Sequence, residues 1–176
     1  MSDVVDATQD TRGTSVSRFL ANRGAIVVKE TRPVGRVKGE HGDSVSAETV
    51  VLNVIKGVKK ETTYGVRLER TDSDGDFDSA VFLDYDELSE LLGAIEFIST
   101  TALTLKNQAR DYTEVTYSTK DSAQIGFYHS DDGQLAFLKL STHRGSTFVP
   151  VHRLAALKQI VEAAKEHLTT CGATED

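Results

Sequence analysis

Two runs of charged residues carry the most suggestive chemistry in this chain. The first, Lys56-Gly57-Val58-Lys59-Lys60, joins two strand-like segments; Tyr64 lies close by, and Arg67 projects opposite Val66 and Leu68. Lysines that neutralise phosphates beside an aromatic ring that stacks bases outline a single-stranded nucleic-acid surface. The candidate nucleic-acid residues are therefore Lys56, Lys59, Lys60, Tyr64 and Arg67. The plainer reading is a lysine-decorated hairpin that guards a sheet edge against aggregation. The second run places acids at Asp72, Asp74, Asp76 and Asp78. A helix-loop-helix calcium loop wants glycine at its sixth position and glutamate at its twelfth. Counted from Asp72 those positions hold Phe77 and Leu83, so the run reads as a solvated hairpin turn.

The remaining reactive residues are scattered. His41, His129, His143, His152 and His167 show no ligand spacing, and His167 with Cys171 offers only two ligands, too few for a structural zinc. Cys171 is the single cysteine, so no internal disulfide forms. It lies in a polar terminal segment, a poor place to hold a nucleophile against a base. The chain has no G-x-S-x-G and no glycine-rich phosphate loop. No metal, cofactor or catalytic residue is expected. A hydrolase assembled from distant histidines and acids is the one enzymatic reading left.

Composition is that of an ordinary soluble protein, and the uneven charge reads first as a dipolar surface. The 176 residues are 39% hydrophobic and 27% charged, with a formal net charge of −7. Residues 11–70 carry twelve Lys and Arg against six acids, and residues 71–176 carry eight against eighteen. No stretch approaches the roughly 20 apolar residues of a membrane span. The start, MSDVVDATQDTRG, has neither the basic nor the apolar region of a signal peptide. A soluble cytoplasmic protein that does not enter a membrane is expected.

The elements that must position these residues follow from periodicity. Residues 1–22 are polar and aperiodic and read as a disordered tail, with at most a helical turn at 17–21. Strands are expected at 25–28, 49–55, 63–70 and 79–83, with Pro33 and Gly35 ending the first. The period then changes from 2 to 3.6. Leu88, Leu91, Leu92, Ile95 and Ile98 form one helical stripe, and Asp84 with Glu87 reads as its capping box. Residues 104–111 are a connector. Strands at 112–118, 123–129, 134–140 and 146–149 follow. Pro150 then opens a second helix striped by Leu154, Leu157, Ile160, Val161, Ala164 and Leu168.

The two helix entries match at an offset of 66: Phe82 with Phe148, Leu83 with Val149, Leu88 with Leu154, Leu91 with Leu157, and Ile95 with Val161. An internal duplication of a β-meander plus one helix is the inference. The expected architecture is α+β, predominantly antiparallel β with two amphipathic helices. Its halves span residues 23–103 and 112–170, and 171–176 form a tail.

This twice-given order of four strands and a helix resembles the layout of the Whirly family of single-stranded-DNA-binding proteins. The entries SAVFLDYDELSELLGAI and STFVPVHRLAALKQIVEAA, each following a meander, carry the likeness across residues 25–168. The resemblance implies a single-stranded nucleic-acid binder. The residues themselves favour a non-catalytic binding or protein-interaction module that presents a sheet face or edge to a protein partner, with nucleic acid as the alternative ligand.

Overall fold

The fold is a computed structural model that describes residues 13–175. It is a mixed α+β protein, mostly strands. Four antiparallel strands, β1 (Ile26–Lys38), β2 (Ser44–Lys56), β3 (Lys59–Thr71) and β4 (Phe77–Asp84), form the first sheet in sequence order. A helix of residues Ser15–Leu20, α1, precedes them and α2 (Glu87–Leu105) follows. The second sheet is β5 (Tyr112–Ser118), β6 (Gln124–Ser130), β7 (Gly133–Lys139) and β8 (Thr147–Val149), again in order. A 3₁₀ turn at Val151–Arg153 leads into α3 (Leu154–Thr170).

Each long helix packs on the sheet of the other half. Ile160 of α3 lies against Gly35 of β1, where a Cβ would come within 2.8 Å of it. Tyr85 Oη and Thr169 Oγ1 are 2.7 Å apart, and Tyr64 Oη donates to the Cys171 carbonyl at 3.2 Å. In the other direction, Gln134 Nε2 of β7 donates to the Ala102 carbonyl of α2 at 2.7 Å. The helix stripes Leu88, Leu91, Ile95, Ile98 and Leu154, Leu157, Val161, Leu168 meet in one continuous core with Val66, Leu83, Phe127 and Leu138. By length and composition alone α2 is apolar enough to cross a membrane; its stripe of Leu88, Leu91, Ile95, Ile98 and Ala102 is buried in the main core.

Several elements run longer than periodicity indicates. β1 continues through Pro33 and Gly35 with a register shift between them. A proline is tolerated there because β1 is an edge strand and the shift is a bulge. β2 buries both faces: Val45, Ala47 and Val51 look into the main core, and Val50 and Leu52 look outward.

The outward cluster explains α1, which lies within the stretch expected to be a tail. Val16 is fully buried against Val50 and Leu52, with Phe19, Val27 and Phe82 around it. Thr14 Oγ1 caps the helix by accepting from Ser17 N at 3.2 Å. The Asp84 carboxylate accepts from Ser15 N at 2.8 Å and Val16 N at 3.1 Å. That carboxylate is nearly seventy residues away, so no local pattern announces it. Residues 1–12, the rest of the expected tail, lie outside the described residues.

The expected capping box is half realised. Glu87 Oε2 accepts from Asp84 N at 2.8 Å, but the Asp84 side chain caps α1 instead of α2. Glu87 Oε1 accepts from Lys120 N at 2.8 Å and so ties the β5–β6 turn to the start of α2. Burial pushes the Glu87 carboxyl above its ordinary range in spite of these two bonds.

Polar links join the halves twice more. Glu40 N of the β1–β2 turn donates to the Phe148 carbonyl of β8 at 2.9 Å. Asp121 of the β5–β6 turn accepts from Phe82 N of β4 at 3.0 Å. Between the sheets, buried Arg70 donates to Asp43 Oδ2 and Thr147 Oγ1, each at 3.1 Å, and pairs with Asp78 at 2.9 Å.

Candidate functional site

The five basic-run candidates occupy two faces of the first sheet. Lys56 and Lys59 are cross-strand partners flanking the Gly57-Val58 turn, where Gly57 takes φ +60°. They share the outer face with Arg67, whose partner across β2 is Glu48. Lys60 and Tyr64 alternate onto the other face. Tyr64 packs against the main core and is fastened to Cys171, so its ring is not beside Arg67. Arg67 is already engaged by Glu48 at 3.4 Å and Glu69 at 2.5 Å. Lys59 lies 3.7 Å from Glu61. Eight residues of strand, roughly 26 Å, separate Lys59 from Arg67, and α1 packs on the same face beside Gly65 and Val50.

The other sequence candidates resolve into local roles. Asp72 Oδ1 accepts from Asp74 N at 3.0 Å and Asp76 N at 2.9 Å, shaping the β3–β4 turn. Among the described residues no group of three or more His, Cys, Asp and Glu is placed to hold a metal ion. His129 is buried on β6 and its Nε2 lies 2.7 Å from the Gln108 carbonyl. A carbonyl only accepts, so Nε2 carries a proton; Nδ1 is buried with no partner among the described residues. His129 lines a cleft of about 620 Å³ with Leu103, Gln134, Leu135, Val151 and His152.

The most developed surface lies on the outer face of the second sheet, which the basic-run analysis does not reach. Strand alternation sends Ile125, Phe127, Ala136, Leu138 and Val149 into the core. It sends Tyr112, Glu114 and Thr116 of β5, Gly126 and Tyr128 of β6, Leu135 and Phe137 of β7, and Phe148 of β8 to the opposite face. One cross-strand row runs Thr116, Gly126, Phe137, Phe148; the next runs Glu114, Tyr128, Leu135. Gly126 is glycine for a steric reason. A Cβ there would lie 2.2 Å from the Val115 carbonyl and 2.8 Å from the Phe137 ring.

The rings form a chain. Tyr112 and Tyr128 are stacked with centroids 6.3 Å apart and planes 18° from parallel. Tyr128 meets Phe148 edge-on at 6.4 Å, and Phe148 meets His41 of the β1–β2 turn edge-on at 6.4 Å. Beside them Glu114 Oε2 accepts from Tyr112 Oη at 2.5 Å, and Oε1 accepts from Thr116 Oγ1 at 3.0 Å. Those bonds, the tyrosine's first, hold the Glu114 carboxyl below its ordinary range. The signal available in the sequence is that β6 and β7 carry large apolar residues in both phases of the alternation, as in GFY and LAFL. A strand apolar on both faces needs something on each of them.

No family model, curated protein or solved structure matches this chain.

Proposed function

We propose that the chain is a non-catalytic binding module whose working surface is the outer face of the second sheet. The observation that carries this reading is the run of rings from Tyr112 through Tyr128 and Phe148 to His41, on a face away from the core that α2 and α3 fill and from the sheet that α1 covers, among the described residues. Aromatic side chains are concentrated at the centres of binding surfaces because they bury large area at low entropic cost. A second reading is single-stranded nucleic acid, since unpaired bases stack on aromatic residues of an open four-stranded sheet.

We also infer that the two halves arose by duplication of a meander plus helix. Besides the offset of 66, the inter-half bonds support it: the backbone of Phe82 and that of Phe148, equivalent by that offset, are each bound by the first hairpin turn of the opposite half.

Fluorescence anisotropy of labelled single-stranded DNA and RNA, at low and moderate salt, tests the nucleic-acid reading. Capture of a defined partner from lysate tests the protein reading. In either assay Tyr128→Ala with Phe148→Ala should abolish binding, and Lys59→Glu with Lys60→Glu should leave it within about twofold, because exposed charges far from an interface act weakly through salt. If the lysine pair abolishes binding and the aromatic pair does not, the working surface is the β2–β3 hairpin and this reading fails.

A further inference from the structure

We propose that the Tyr112–Tyr128 end of the open face receives an arginine-bearing segment of a protein partner, its guanidinium stacked on a tyrosine ring and paired with Glu114. This deepens the reading of that face as the working surface and rests on it.

The geometry selects a cation. Glu114 is the direct cross-strand partner of Tyr128. Its carboxylate is fixed beside the two stacked rings by one hydrogen bond to each oxygen, and each oxygen keeps a further lone pair. The face of an aromatic ring is electrostatically negative, so ring and carboxylate attract the same ligand charge. A guanidinium is planar. It can lie on a ring and still offer two parallel N–H groups to a carboxylate, which an ammonium cannot.

The surroundings are acidic on balance. Asp111 precedes Tyr112, and Asp131 and Asp132 form the turn beyond Ser130, the cross-strand partner of Tyr112. Arg110 donates to the neutral Gln108 Oε1 at 2.9 Å and keeps its charge. Lys139, opposite Gln124 on the same face, is near enough to Glu114 to help hold its carboxyl low. Asp111, Glu114, Asp131 and Asp132 outnumber Arg110 and Lys139 here, so the balance of charge favours an arginine over a phosphate chain.

A helical cover like α1 is disfavoured here. The carboxylate that holds α1 on the first sheet belongs to Asp84. The position equivalent to Asp84 at the offset of 66 is Pro150, which offers no carboxylate.

The test is fluorescence anisotropy with the full chain at low salt. The probes are a labelled peptide of alternating arginine and glycine, its lysine counterpart, and single-stranded oligothymidylate. The arginine peptide should bind best. Glu114→Gln and Tyr128→Ala should each weaken it about tenfold, and Glu61→Gln, a control acid on the β2–β3 hairpin, should leave it unchanged. Thermal melts of Glu114→Gln, a near-isosteric change at an exposed site, confirm that its fold is retained. Peptide binding indifferent to Glu114→Gln overturns the inference. Tighter binding of oligothymidylate, lost in Tyr128→Ala, overturns the arginine ligand and keeps the working face. Binding of no probe overturns both.

Discussion

The outer faces of the two sheets differ in what lies over them. On the first, Phe82 packs with Val16 and Phe19 of α1, and Val50 and Leu52 beneath the same helix are fully buried. On the second, Phe148 is the cross-strand partner of Phe137 and meets Tyr128 and His41 edge-on. One sheet completes its outer layer with its own N-terminal segment. On the other, Tyr112 is 60% exposed, Tyr128 and Phe148 are half-buried and Phe137 is buried. A sheet that is apolar on both faces needs a cover on each. Among the described residues the first face has a helical cover in α1 and the second has no helical counterpart.

Removing the cover from the first sheet has the largest expected effect. Val16→Asp places a carboxylate in a fully buried site and should cost about 3 kcal/mol. Urea unfolding should show a lower midpoint, and amide exchange should accelerate at Val50 and Leu52. An unchanged midpoint would mean that α1 is not a structural layer. A milder loosening comes from Asp84→Ala, which strips two backbone N–H groups of α1 of their acceptor. The expected loss is about 1–2 kcal/mol, with exchange enhanced at the start of α1 and unaltered on β6 and β7.

The smallest effect is a pH dependence of the inter-sheet link. Burial alone would raise the Asp78 carboxyl, but hydrogen bonds from Arg70 and Ser79 outweigh it and the group sits below its reference value of 3.8. A depressed carboxyl contributes stability that is present above the unfolded value and lost as pH falls through the folded one. Stability measured by urea titration should therefore decline as pH falls below the ordinary carboxylate range. Asp78→Asn should lack that part of the acid limb. An identical acid limb in the variant would remove Asp78 from the link.

The parts of this fold legible in the sequence are those written in local period. The shift from alternation to 3.6 at Leu88 locates α2, and Pro150 marks the entry to the second long helix. What the local pattern conceals is set by distant partners. α1 exists because Asp84 and the outward side of β2 hold it, and neither lies near Ser15 in the chain. β1 runs through Pro33 because the edge of a sheet tolerates a missing donor, and a proline read by itself suggests a break. The basic run is legible as a hairpin turn, but strand alternation separates Tyr64 and Lys60 from Arg67, and nearby carboxylates engage that arginine. The aromatic face was present in the sequence as Tyr112, Tyr128, Phe137 and Phe148. It becomes visible only when the register of β5 to β8 places them in adjoining rows.

The most direct test of the central claim is a ¹H–¹⁵N spectral titration of the full chain with the arginine–glycine peptide. The account predicts shifts concentrated at Tyr112, Glu114, Tyr128 and Phe148, with Val50, Leu52 and Phe82 beneath α1 unmoved. Shifts confined to the Lys56–Lys60 hairpin, or to the cleft beside His129 and Leu103, would contradict it.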